Sequence, residues 1–159
     1  MRPESENDDH DNDFHFLINF RPFQNGDREA VLDLWERCGL ITPESRAVAD
    51  ADLTRKVQVQ PELFIIGERE LKIIAIGMAG DDGHRAHLYY LAVCPRHQRQ
   101  GYGRQMVSHI RALLCQRGCH RLTLYVGGDN LEVLGFYERL GFSRNDVVSL
   151  GVSVSPAAK

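Results

Sequence analysis

The chain has 159 residues, 43% hydrophobic and 26% charged, with a net charge of -3. That length fits one domain with enough chain to bury a real core, and the acidic balance argues against a general nucleic-acid binder, which is ordinarily basic. No apolar run approaches the roughly 20 residues of a membrane span, and the acidic start MRPESENDDHDND lacks the apolar core of a secretion signal.

Residues 1–13 carry no apolar period and read as a disordered acidic tail, leaving 14–159 as a single domain. Phe14, Phe16, Ile18 and Phe20 alternate as a first strand does. Asp27 is placed as a helix N-cap. Val31, Leu34, Trp35 and Cys38 share one face of the helix that follows, and Gly39 closes it. A turn at Thr42–Ser45 leads to a weaker helix ending near Val59, with Val48, Leu53 and Val57 inward. Leu63–Gly67 and Leu71–Ala79 are two apolar runs split by Glu68-Arg69-Glu70, the pattern of a hairpin. Gly80–Arg85 is a second turn.

Ala86–Val93 is apolar on both parities, as a central strand is, and Pro95 stops it. Met106, Val107, Ile110, Leu113 and Leu114 follow helical spacing, with Gly118 as the C-cap glycine. A strand at Arg121–Val126, a helix at Asn130–Leu140 capped by Gly141, and a last strand at Val147–Val154 complete the order. This is an α/β chain. Its order suggests a mixed, mostly antiparallel sheet with one parallel crossover and helices on both faces.

Cys38, Cys94, Cys115 and Cys119 form no C-x-x-C pair, so neither zinc nor a disulfide framework is indicated. Cys38 and Cys115 fall on or beside apolar helix faces, where small thiols are commonly buried. Reduced thiols, no metal and a cytoplasmic protein are expected.

The chemistry concentrates between the central strand and the next helix, in Gln98-Arg99-Gln100-Gly101-Tyr102-Gly103-Arg104. Glycines let backbone pass close to a ligand, the helix start presents free N–H groups, and arginines supply forked donors. Those features describe a pyrophosphate cradle. They also describe a helix-capping loop that binds nothing. The pattern is neither the dinucleotide fingerprint nor a phosphate-binding loop with Gly-Lys-Ser/Thr.

Gln98, Gly101 and Gly103 meet a Q/R-x-x-G-x-G/A pattern after a strand, and Asn130, Tyr137 and Gly141-Phe142 follow in order. In these two motifs the chain resembles the GCN5-related N-acetyltransferases (GNAT superfamily) from about Phe14 to Val154. WERC at Trp35–Cys38, DGHR at Asp82–Arg85 and DVVSLG at Asp146–Gly151 are similar to its small bacterial YpeA-type members. The resemblance implies an acyl-CoA N-acyltransferase fold, whose central strand and parallel neighbour splay apart to admit a pantetheine arm. It implies acetyl-CoA as co-substrate, held by the backbone of Leu91, Ala92 and Val93, by Gln98, Arg99, Gln100, Gly101, Tyr102, Gly103 and Arg104, and by Asn130 and Tyr137. It makes Tyr137 the general acid for the departing thiolate.

The base is less constrained, since no acid lies within Ala86–Val93. Asp81, Asp82, His84 and His87 are the candidates, and His84 is taken as the base. A weak base favours an α-amine or small amine as acceptor, because deprotonating a lysine at neutral pH costs roughly 4 kcal/mol. The acceptor site is expected among Trp35–Arg46, the Asp81–Arg85 turn and the strand after Val147. Trp35 is placed in the core, and Arg85 is a candidate for recognising a carboxylate. The expected activity is direct transfer of acetyl from acetyl-CoA to a primary amine, of a small molecule or a peptide N-terminus, in a ternary complex without an acyl-cysteine. The alternative is a non-catalytic CoA-binding sensor or regulatory module. No nucleic-acid or membrane partner is expected, and a homodimer is left open.

Overall fold

The protein's structure, a computed structural model, describes residues 18–128 and 130–154. The expected tail, with Phe14 and Phe16, lies outside them. The elements run β1 (Asn19–Pro22), α1 (Arg28–Arg37), α2 (Arg46–Val59), β2 (Phe64–Arg69), β3 (Lys72–Asp81), β4 (Ala86–Val93), α3 (Tyr102–Gln116), β5 (Leu122–Leu124) and α4 (Leu134–Arg139), joined in places by single 3-10 turns. They fall into two compact units, one ending at Tyr125 and the other starting at Val126.

The first unit holds a five-stranded sheet in the order β1-β2-β3-β4-β5. The first three pairings are antiparallel, and β4 pairs with β5 in parallel. A parallel pair needs a long crossover, and α3 is that crossover. Alternation along the strands sends Phe64, Ile66, Ile74, Ile76, Met78 and Ala92 to one face, where they join Val31, Leu34 and Trp35 of α1 and Leu53 of α2. The opposite face receives α3. A side-chain carbon at Gly77 would stand 2.6 Å from Ile110 and 2.9 Å from Met106, so the glycine is what lets α3 lie against the strand.

Asp27 stands at the start of α1 as expected, yet its carboxylate makes no helix cap. It accepts from Arg21 at 2.7 and 2.9 Å and from the Gln24 backbone N–H at 2.8 Å. Arg21 also donates to Glu68 at 3.1 Å, tying β1 to β2. In α2 the inward residues are Ala49 and Leu53, while Val48 is exposed and Val57 is half-buried. Cys115, expected on a buried face, is exposed, and all four cysteines are free thiols. β5 is shorter than expected, with three residues.

In the second unit a 3-10 turn at Leu131–Val133 leads into α4. The helix closes at Gly141, where Phe142 N–H returns to Tyr137 O at 3.1 Å. The expected last strand does not form. Residues 142–154 carry no regular structure, and Val147, Val148, Leu150, Val152 and Val154 are 73–93% exposed. Alternation specifies which face a strand would bury. It does not supply the paired edge that a strand needs for stability.

Candidate functional site at the two ends of the central strand

The C-terminal end of β4 is open along one edge. β5 pairs with Ala86, His87 and Leu88, so Tyr89–Val93 run on without a strand partner on that side among the described residues. The early end of that pairing agrees with the splay that the resemblance implied. Cys94 N–H donates to Ile74 O at 2.7 Å, which places Cys94, Ala92 and Tyr90 in the hydrogen-bonded pairs with β3. Backbone direction alternates along a strand. Leu91 and Val93 therefore turn their N–H groups to the open edge. Val93 O on the same edge accepts from Gln98 Nε2 at 3.0 Å and from Cys38 Sγ at 3.4 Å.

Beyond β4 the chain makes one turn at Pro95–His97 and reaches the glycine loop. Arg99 and Gly101 both adopt positive φ, +64° and +85°, which bends the backbone sharply into α3. Gly101 is the N-cap of α3, and no side chain caps that helix start. The first-turn N–H groups are thus free of protein partners of the capping kind, at the positive end of a 15-residue helix. Arg96, Arg99 and Arg104 are exposed nearby and join no ion pair among the described residues. Three expected contributors turn out to be partly committed. Gln98 is bonded to Val93 O, and Gln100 Nε2 donates to Arg96 O at 3.3 Å. Tyr102 is buried, its hydroxyl accepting from Arg69 at 2.7 Å, so only its backbone faces the loop. Free N–H groups at a helix start, positive charge and an open strand edge are what a pyrophosphate followed by an amide-bearing arm requires.

The other end of β4 borders a cavity of about 530 Å³ between the second half of α2 and the β3–β4 hairpin. A bulge shapes it. The β3–β4 register shifts between Met78 and Ala79, leaving Tyr89 as the extra residue. Tyr89 and Tyr90 both line the cavity, and Trp35 backs Tyr90 with ring centroids 4.6 Å apart. Trp35 itself is core, as expected. Of the expected acceptor segments, the hairpin turn contributes Asp81, Asp82 and Arg85. Trp35–Arg46 contributes no lining residue; Lys56 on α2 and Gln60 just past its end do instead.

The histidines differ in setting. His84 is exposed in the turn and does not line the cavity. His87 does, its ring 5.2 Å from that of Tyr125, and its Nε2 is buried without a hydrogen-bond partner. A buried nitrogen without a partner is uncommon and calls for a ligand or a function. Asp82 is spent on the backbone N–H groups of His84 and Arg85, at 2.8 and 2.7 Å. Asp81 is paired with Arg117 at 2.7 Å, which holds its carboxyl below the usual range.

Asn130 and Tyr137 belong to the second unit. Asn130 precedes the 3-10 turn and makes no side-chain cap. Tyr137 lies edge-on to Phe136 and Phe142, at 5.0 and 5.5 Å. Burial pushes its phenol above the ordinary value near 10, so it stays protonated at neutral pH.

A mixed sheet with a parallel pair splayed at a glycine loop, covered by helices on both sides, defines an acyl-CoA N-acyltransferase fold. The PaiA N-acetyltransferase of Thermoplasma acidophilum, solved in complex with coenzyme A, superposes with a TM-score of 0.72 at 17% identity, over 83% of this chain and 93% of that one. The sequence matches narrow the class. The acetyltransferase (GNAT) family profile matches residues 28–142. An acetyltransferase of Yersinia pestis (strain Pestoides F) is 37% identical over 134 residues, 84% of this chain and 94% of its own length. An acetyltransferase of Pectobacterium atrosepticum is equally similar, 37% over the same spans. The chain belongs to the acetyltransferase (GNAT) family and is an acetyl-CoA dependent N-acetyltransferase.

Proposed function

We propose that this protein transfers the acetyl group of acetyl-CoA directly to a primary amine, with both substrates bound at once on β4. The observation that carries the reading is the meeting of two features on adjacent residues. Tyr90 lines the cavity, and Leu91 turns its N–H to the open strand edge. A donor along the edge and an acceptor in the cavity would meet at that junction.

Bound acetyl-CoA supplies a thioester whose acyl carbon is the electrophile. The α3 N-terminus, with Arg96, Arg99 and Arg104 around it, binds the pyrophosphate. Leu91 and Val93 N–H groups hold the acyl arm and polarise its carbonyl, backbone donors that need no reorganisation as charge develops. His87 takes the proton from the incoming ammonium, a role it fits better than His84, because His87 lines the cavity and has a ring nitrogen without a partner, whereas His84 is exposed in the turn and does not line it. The amine nitrogen then bonds to the acyl carbon, the carbon–sulfur bond breaks, and the nitrogen sheds its second proton to water as the amide forms, balancing the proton that Tyr137 gives up and regains from solvent. Tyr137 gives its phenolic proton to the leaving thiolate, and Asn130 binds the pantetheine arm. These last two roles rest on the resemblance and on a phenol kept protonated by burial.

The test is steady-state acetyl transfer to a panel of amines, with Tyr137→Phe as control. The expected result is that kcat falls about 10- to 100-fold while acetyl-CoA affinity is unchanged, within the ordinary range for losing a general acid. Equal activity in parent and variant would remove Tyr137 from the mechanism. Acetyl-CoA binding without transfer to any amine would favour the sensor reading instead.

A further inference from the structure

We propose that the cavity beside His87 takes an amine that also carries a carboxylate, an amino acid or a close derivative, and that Lys56 and Arg85 hold the carboxylate. This rests on the acetyl-transfer reading above and names its acceptor class.

The argument is an accounting of charge in the cavity wall. Its three acids are all committed. Asp52 is ion-paired with Arg55. Asp81 is bonded to Arg117 at 2.7 Å and accepts from Gly83 N–H at 3.0 Å. Asp82 caps the turn through two backbone N–H groups. None remains to receive a cationic substrate. Two cations are left over. Arg85 lines the cavity, and among the described residues its guanidinium has no hydrogen-bond or ion-pair partner. Lys56 also lines it, half-buried. Its ammonium donates to Ala79 O and, at 3.4 Å, to Gln60 Oε1, both neutral acceptors. Gln60 is itself fixed by the Asp81 backbone, donating to Asp81 O at 2.8 Å and accepting from Asp81 N at 3.1 Å.

A half-buried ammonium without a counter-anion is costly. Burial depresses the Lys56 amine below the ordinary lysine value, against a partial offset from Glu62 and Asp81. A carboxylate on the substrate would supply the missing charge. The remaining wall, with Met78, Tyr89, Tyr90 and Val59, suits a carbon skeleton. About 530 Å³ is the size of small-molecule sites. The same two cations disfavour polyamines, which would bring positive charge against Lys56 and Arg85.

The experiment compares matched acceptors at saturating acetyl-CoA: a set of L-amino acids, each beside its carboxamide. The parent is expected to prefer the acid by at least about 10-fold in kcat/KM, the ordinary worth of a charge-assisted hydrogen bond. Lys56→Met and Arg85→Gln should each lower kcat/KM for the acids more than for the amides and so collapse that ratio towards unity. Calorimetric binding of the N-acetyl amino acid against its amide reads the same ratio without turnover. Transfer to amides, plain amines or peptides with no carboxylate preference would overturn the inference and leave the acetyl-transfer reading standing. A preference that survives in both variants would overturn the roles of Lys56 and Arg85. Failure of acetyl-CoA to bind at all would bring down the reading and the inference together.

Discussion

At the Val93 end of β4 the proposed site is made of backbone. Its donors are the N–H groups of two strand residues and of a helix start, aimed by positive φ at Arg99 and Gly101. At the Ala86 end it is made of side chains from three places: Lys56 on α2 with Gln60 at its end, Arg85 on the hairpin, and His87, Tyr89 and Tyr90 on β4. Backbone donors are the same whatever the side chain, so the first end can serve one invariant ligand. Side chains can be exchanged singly, so the second end can be fitted to one acceptor among many. The difference predicts that substitutions at the two ends fail in different ways.

The largest expected effect is at the side-chain end. His87→Gln should lower kcat about 100- to 1000-fold while acetyl-CoA affinity stays at the parent value, measured by steady-state kinetics beside calorimetry. An equal loss of coenzyme affinity would break the separation between the ends.

A site remote from both calibrates stability. Asp27→Asn leaves Arg21 without its closest anion in a largely buried setting, at an expected cost of about 3 kcal/mol in chemical denaturation. The pH dependence has a definite sign. Hydrogen bonds from Arg21 hold the Asp27 carboxyl below its ordinary value. Its contribution is therefore complete above about pH 4, the unfolded carboxylate range, and is lost as pH falls through the depressed folded value. Thermal unfolding of the parent should decline on that acid limb, and Asp27→Asn should show a shallower decline.

Gly77→Ala sharpens the comparison from inside the sheet. The added carbon meets Ile110 and Met106 below contact distance, so α3 must shift. The expected cost is about 1–3 kcal/mol. Because α3 carries the coenzyme end, acetyl-CoA affinity should weaken before acceptor preference changes.

The two ends also differed in how far the sequence disclosed them. The glycine loop was legible because its geometry is local: a strand, a positive-φ glycine at Gly101 and a helix start are contiguous in the chain. The parallel pair followed from one crossover at the end of an antiparallel order, and its splay was an implication of the family resemblance alone. The cavity was only half legible. The Asp81–Arg85 turn was expected there, but Lys56 and Gln60 come from a helix and its end about 30 residues earlier and carry no motif. Tyr89 and Tyr90 face the cavity together only because of a bulge, which a strand apolar on both parities conceals. Val147–Val154 shows the reverse failure. Its alternation is strand-like, and the structure gives it no ladder.

The most direct measurement is calorimetric titration of acetyl-CoA into the parent and into Gly101→Asp. An aspartate at φ +85° strains the backbone modestly and its Cβ meets no atom within 4 Å, so the fold should persist, checked by circular dichroism. It places a negative charge at the start of α3, where pyrophosphate is proposed to sit. The account predicts saturable binding in the parent and at least about 100-fold weaker binding in the variant, given the summed loss of charge-assisted bonds. Equal affinity in both proteins, or no binding by the parent, would contradict it.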